Sequence, residues 1–272
     1  MSTDKGCNLL ISLGFDGRIL LWKLNSEGKT DLVLLQIFSV FVQDLPKGLA
    51  VPASASRKKT QEEVVSEVGI SCSAINYKDS SFVVGCVGGA IFLCSFDVTS
   101  SIPCQDRRSL LSGKTRIKTS SSPIKMTYTP HRSNLQSLDF SLHDRSIFLS
   151  CDAEGELRVY NVLESRPISV LHLNSGVTTC FWSMVKNGLI YCLKSSGSLV
   201  TLKFFEEDDL FDEKSRSHAH SEGRLTLSCP IMTLQCNAIY HLLSNKKNMP
   251  SNHEQVAVVT SSGDLNIYDM SD

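Results

Sequence analysis

Few residues in this chain are spaced for chemistry. His143 and Asp144 are adjacent, an imidazole beside a carboxylate that could exchange a proton. Neighbours in a strand-connecting loop point apart, and no nucleophile accompanies them, so the pair reads as a surface turn. His218 and His220 flank Ala219 close to the acidic run 206–209, a conceivable metal site within a polar insertion that reads first as a loop. Asp139, Asp152 and Glu154 lie near one another in sequence. Glycosidase chemistry needs two carboxylates held at a fixed separation across a cleft. Nothing here ensures that, and turn residues are the expectation. Gly85 and Gly88-Gly89 lack the Lys-Ser/Thr ending and the following helix of a phosphate loop. Arg57-Lys-Lys59 reads as a solvated charge cluster, and 119–122 beside Lys118 as a candidate phosphorylation segment. No catalytic, cofactor-binding or metal-binding residue is expected.

Composition agrees with a binding module. The net charge is −1, which gives no global pull toward nucleic acid or a membrane surface. Aromatics make up 7% of the chain and do not interleave with basic residues, which disfavours a base-stacking platform. The longest apolar stretches, such as 32–42, are interrupted and too short to span a bilayer. The start, Met1-Ser-Thr-Asp-Lys, lacks the layout of a signal peptide. The ten cysteines contain no C-x-x-C pair, and several, including Cys86, Cys94, Cys151 and Cys192, sit in apolar strand-like runs. Reduced, buried thiols follow from that setting.

The organising signal is a repeat. Gly17, Gly89, Gly155, Gly197 and Gly263 stand 72, 66, 42 and 66 residues apart. Two positions after each comes Ile19, Ile91, Leu157, Leu199 or Leu265, and four after comes Leu21, Leu93, Val159, Thr201 or Ile267. An apolar run precedes each glycine, at 9–13, 82–84, 147–149, 189–193 and 256–259. A tight turn between two alternating strands is a β-hairpin. Further strand candidates at 31–42, 169–173 and 176–182 fit the outer strand of one sheet and the inner strand of the next. Hairpin-based sheets repeated around a ring make a β-propeller, and the 42-residue spacing is its period of about 40–45. The longer spacings contain polar insertions near 50–67, 99–122 and 206–222. The expected fold is all-β, one partial propeller over 1–272.

Asp16-Gly-Arg-Ile-Leu-Leu-Trp22 resembles the D-G-x-I-x-L-W strand of WD repeats. The other units depart from it: the Asp position holds Gly88, Glu154, Ser196 and Ser262, and Trp occurs once. The resemblance implies a hydrogen-bonded network of a His, the turn Asp and the Trp. In the third unit this would bring together His131, Glu154 and Tyr160, an incomplete set. The order of segments is more specific. Ile11-Ser-Leu-Gly-Phe-Asp-Gly-Arg-Ile-Leu-Leu-Trp-Lys-Leu24 resembles a mid-propeller blade of dynein intermediate chains. Phe82-Val-Val-Gly-Cys-Val-Gly-Gly-Ala-Ile-Phe-Leu-Cys-Ser95 resembles their Val-Gly, Gly-Gly and Cys-Ser pattern, and Phe181-Trp-Ser183 their next blade opening. Over roughly 7–270 the succession is most like the shorter intermediate chains of cytoplasmic dynein 2.

That resemblance implies a non-catalytic scaffold that binds a dynein heavy-chain tail, with light chains and a second intermediate chain in the full complex. It also implies a place in the cytoplasm, cytoskeleton and cilium. With about five recognisable blades of the seven usual there, the chain is expected to be a C-terminal propeller fragment with open edges. A general WD-repeat adaptor, such as a ubiquitin-ligase receptor or a trafficking scaffold, is the competing expectation. Propellers bind through end loops, which vary freely while the blades stay fixed. The candidate protein-contact residues are therefore Phe15, Asp16, Arg18, Val87 and Glu154 in turns, with His131 and Arg132 in a loop on the same face.

Overall fold

Alternating apolar residues set the strands, and the structure pairs them as hairpins. The computed structural model describes residues 8–25, 31–49, 56–59, 64–76, 81–95, 122–195, 198–205, 224–233, 238–240, 255–259 and 265–269. The first sheet holds β1 (Asn8–Leu13), β2 (Arg18–Asn25) and β3 (Asp31–Ser39). A two-stranded hairpin follows, β4 (Ser56–Lys59) with β5 (Val64–Glu67), inside the stretch expected as a loop near 50–67. The second sheet is β6 (Ile70–Ile75), β7 (Ser81–Cys86), β8 (Ile91–Ser95) and β9 (Ile124–Thr127). The third is β10 (Leu135–Phe140), β11 (Ile147–Asp152), β12 (Glu156–Asn161) and β13 (Pro167–His172).

The fourth sheet is β14 (Val177–Trp182), β15 (Leu189–Lys194), β16 (Ser198–Phe205) and β17 (Arg224–Thr233). The fifth is β18 (Ala238–Tyr240), β19 (Gln255–Val259) and β20 (Leu265–Asp269). Each sheet is antiparallel and ordered as in sequence, so every connection inside a sheet joins neighbouring strands. The five expected hairpins pair in register, with Leu10 opposite Trp22, Val83 opposite Leu93, Leu149 opposite Val159, Tyr191 opposite Thr201 and Ala257 opposite Ile267. Among the described residues there is one short 3-10 turn (Val42–Asp44) and no α-helix. The insertion at 206–222, with His218 and His220, lies outside the described residues, as does 99–122 apart from Ser122.

Why the middle strands read as continuous apolar runs is clear from their burial. Along β11, alternate residues face opposite ways. Leu149 and Cys151 pack with Val177, Trp182 and Ile190 of the fourth sheet. Phe148 packs the other way, with Tyr160, Leu135 and Val83 of the second sheet. Val84 and Phe92 in turn pack on Ile19 and Phe38 of the first sheet. A sheet covered on both faces needs apolar residues at every position, not every second one. Tyr128, Phe148 and Tyr160 form a three-ring cluster, with Phe148 stacked on Tyr160 at 5.1 Å and Tyr128 edge-on to Phe148 at 5.0 Å.

Adjacent innermost strands β10 and β14 share no ladder and are joined by side chains. Ser137 Oγ accepts from the Cys180 amide at 2.8 Å and donates to its carbonyl at 3.0 Å. Asp139 Oδ2 accepts from the Trp182 amide at 2.8 Å. The thiols of Cys72, Cys86, Cys94, Cys151, Cys180 and Cys192 are free, all but Cys72 fully buried, as their apolar settings imply. Burial pushes the Cys72 thiol up to about 12 and the Cys86 thiol higher still, which makes both poor nucleophiles.

Candidate functional site

The hairpin turns and the loops entering the next sheet meet at one end of the molecule. Gly17 has φ +82° and sits so close to the second sheet that an added Cβ would lie 2.6 Å from the Val68 carbonyl. Gly155, at φ +95°, approaches the carbonyls of Leu173 and Ser175 in the same way. Only a residue without a Cβ satisfies both the positive φ and the close approach. Amide bonds stitch these meetings together: Val87 to the Gly69 carbonyl at 2.8 Å, His131 to Gly89 at 2.9 Å, and Leu173 to Gly155 at 2.8 Å.

This arrangement brings the sequence-predicted contact residues to one end but does not expose them all. Phe15 is 66% exposed, unusual for a ring that could pack elsewhere. Asp16 and Arg18 flank the same turn, with Arg18 Nε 3.6 Å from Asp16 and 4.0 Å from Glu67. Arg132 and Glu154 are exposed. Val87 and His131 are 9% and 1% exposed, so their side chains lie inside the molecule, not on its surface. His143 and Asp144 occupy a surface turn, as expected. Asp144 Oδ1 accepts from the Ser146 amide at 2.8 Å and from its hydroxyl at 2.7 Å.

Beneath the turn face lies a buried polar cluster. His131 Nε2 is 2.7 Å from Ser150 Oγ. Its Nδ1 faces Asp152 Oδ2 at 3.4 Å and Glu156 Oε2 at 3.5 Å. Asp152 Oδ1 accepts from the amides of Glu154 (3.1 Å) and Glu156 (2.8 Å), which caps the β11–β12 turn. Arg158 donates from Nε and Nη2 to Glu156 Oε1, at 3.1 and 2.9 Å. Its Nη1 reaches the carbonyls of Thr129 and Pro130 and the Tyr160 hydroxyl at 3.1–3.2 Å. Tyr160 Oη donates to the Thr129 carbonyl at 2.8 Å. The turn, the loop 128–134 and β12 are thereby fixed as one unit.

The cluster corrects the expected network. His131 and Tyr160 do take part, but the acidic partner of His131 is Asp152, not Glu154. Glu154 sits at the tip of the turn, where its side chain points to water, whereas Asp152 ends β11 on an inward-facing position. Asp152 is accordingly no solvated turn residue. Glu156 and Arg158 were not singled out from sequence, although their alternation with Tyr160 puts the three on one face of β12. Burial works to raise the Asp152 pKa, but the backbone amides and the His131 contact outweigh it and hold the carboxyl well below the usual range. Burial lowers the His131 pKa, aided by the Arg158 charge, so the imidazole is neutral at pH 7. In the first sheet a simpler contact survives, with Trp22 Nε1 donating to Ser12 Oγ at 2.8 Å.

Stacked four-stranded sheets whose turns abut the next sheet's entry loop define a WD-repeat β-propeller segment. The C-terminal WD40 domain of Sif2 has this fold, with a TM-score of 0.53 at 12% identity, covering 96% of this chain and 54% of that one. No family model matches the chain. In sequence the chain is similar to cytoplasmic dynein 2 intermediate chain 2 of Mus musculus, at 29% identity over 169 residues, and of Homo sapiens, at 26% over 174. Each match covers 61% of this chain, and the chain spans about 28% of the length of these relatives. The chain has the fold of a WD-repeat propeller and is similar in sequence to dynein 2 intermediate chain 2, a fold and a similarity typical of non-catalytic proteins.

Proposed function

We propose that this chain is a non-catalytic scaffold of a dynein motor, related to dynein 2, which holds the tail of a dynein heavy chain. The observation that carries this reading is the similarity to dynein 2 intermediate chain 2 across 61% of the chain, joined to a propeller whose turns offer exposed groups at one end. In this role the blades stay rigid and the end loops bind. Phe15 supplies an apolar anchor, and Asp16, Arg18, Arg132 and Glu154 supply charges around it. Exposed aromatic and Arg side chains are the types that dominate protein interfaces. Val87 and His131 act from below, by holding the loops in place. The setting is retrograde transport and assembly of cilia, with light chains and a second intermediate chain in the same complex. The chain would work in the cytoplasm, on the cytoskeleton and in the cilium. Among the described residues no helix is long and apolar enough to cross a membrane.

The test is a pull-down of the tagged chain from ciliated cells, read by mass spectrometry. Recovery of the dynein 2 heavy chain supports the reading. Recovery of a cullin adaptor or of trafficking subunits without dynein replaces it with the general adaptor. Arg132→Glu should weaken heavy-chain recovery while leaving the circular dichroism spectrum unchanged, because its side chain is exposed. Undiminished recovery removes Arg132 from the contact surface.

A further inference from the structure

We infer that Cys180 and Cys192 are a redox-modifiable pair, which peroxide oxidation closes into a disulfide between β14 and β15. The two stand directly opposite each other on these antiparallel strands. Opposed residues there have Cα atoms about 4.5–5.5 Å apart, within the roughly 4.4–6.8 Å that a disulfide spans. Their side chains leave the same face of the sheet, and both lie in the apolar cluster shared with the third sheet. Cys180 Sγ donates to Cys192 Sγ at 3.1 Å. A bond of about 2.04 Å therefore needs about 1 Å of approach, which side-chain rotation supplies. Among the described residues no other cysteine stands opposite a cysteine in a ladder.

The second observation is how the pair is held. Ser137 of β10 grips the Cys180 backbone at both of its polar groups, accepting from the amide at 2.8 Å and donating to the carbonyl at 3.0 Å. That contact fixes Cys180 in place opposite Cys192. Cys151, the third thiol of the cluster, also hydrogen-bonds Cys180 and rests 3.2 Å from Ser137 Oγ. It belongs to another sheet, so no ladder register holds it opposite Cys180.

Burial pushes the Cys180 thiol well above its ordinary value, and both residues lie inside the molecule. Reaction therefore runs through opening of β14. This strand has a ladder on one side only, to β15, and is held toward β10 by Ser137 and Asp139. A strand paired on one side opens at lower free energy than one paired on both. In the opened hairpin one thiolate attacks a peroxide oxygen. The O–O bond breaks, the sulfur becomes a sulfenic acid, and the hydroxide released takes up the thiol proton as water. The second sulfur attacks the sulfenic sulfur, so that S–S forms and S–O breaks, and the departing hydroxide leaves with the second thiol proton as water. Two thiols are oxidised and one peroxide is reduced. The bond ties the innermost strand of the fourth sheet to its neighbour, and the same burial then shields it from thiol reductants.

The experiment uses the full chain, reduced and then freed of reductant. It is treated with a small molar excess of hydrogen peroxide, the remaining thiols are alkylated under denaturing conditions, and tryptic peptides are mapped without reduction by mass spectrometry. Cleavage after Lys186 places the two cysteines on different peptides, 159–186 and 187–194. Expected are these two peptides linked through Cys180 and Cys192, and a melting temperature above that of the reduced chain that dithiothreitol returns to the reduced value. Cys192→Ser should abolish the link and the melting shift, and Cys151→Ser should keep both. Alkylated Cys180 and Cys192 after oxidation, sulfinic acid at either, a Cys151–Cys180 link in place of the expected one, or a melting shift that survives in a folded Cys192→Ser variant overturns the inference. The peptide map is read on the unaltered chain and decides the matter even where a variant does not fold.

Discussion

Asp139 offers the sharpest test of how the inner strands are joined. Its carboxyl sits between β10 and β14, where burial pushes its pKa up to about 7 from 3.8, against the amide bonds from Trp182 and Phe140. A carboxyl that binds its proton more tightly when folded makes the protein less stable as pH rises from about 4 to about 7. About three pH units at 1.36 kcal/mol each give a loss of no more than roughly 4 kcal/mol, and less to the extent that water reaches the group. Asp139→Asn keeps an oxygen to accept from the Trp182 amide at 2.8 Å and cannot ionise. Urea unfolding of both proteins should be followed by fluorescence at pH 4.5, 6 and 7.5. His131 works in the opposite sense, since its lowered pKa favours the folded state as pH rises toward the ordinary histidine value. Its contribution is common to both proteins and cancels in the difference. The variant should gain on the parent steadily across this window. Parallel profiles would show that the carboxyl ionises as if in water, and the reasoning from burial would fail.

Three further outcomes follow from the packing. Gly155→Ala places a Cβ against the Leu173 and Ser175 carbonyls at a φ of +95°, and should cost at least about 2 kcal/mol in a thermal or urea melt. Tyr160→Phe removes the bonds to Thr129 and Arg158 but keeps the stacked ring, at a cost of about 1–2 kcal/mol by urea unfolding. Trp22→Phe loses the bond to Ser12, about 1 kcal/mol, and because Trp22 is only part-buried, Trp22→Ala should fall below the 3–5 kcal/mol of a fully buried tryptophan in the same assay.

The sequence by itself determined the hairpins. Gly17, Gly89 and Gly155 announce turns because the positive φ is a local property of the chain, and the alternation on either side fixes which residues pair. It marked the apolar runs that became β7, β11 and β15, while their burial on both faces came from the stacking of neighbouring sheets. Tertiary structure alone decided the polar cluster. Asp152 and Glu154 are two residues apart and alike in sequence, yet one caps a turn from inside while the other meets water. That choice depends on the loop carrying His131, which lies about 20 residues earlier and packs there only because the second and third sheets stack. The convergence of His131, Asp152, Glu156 and Arg158 is likewise set by inter-sheet distance, which local spacing does not encode. The similarity to dynein intermediate chains was legible in the order of the segments, which residue-by-residue comparison of single repeats does not carry. The identity of the exposed residues was not, because burial at a propeller's end is decided by the neighbouring blade.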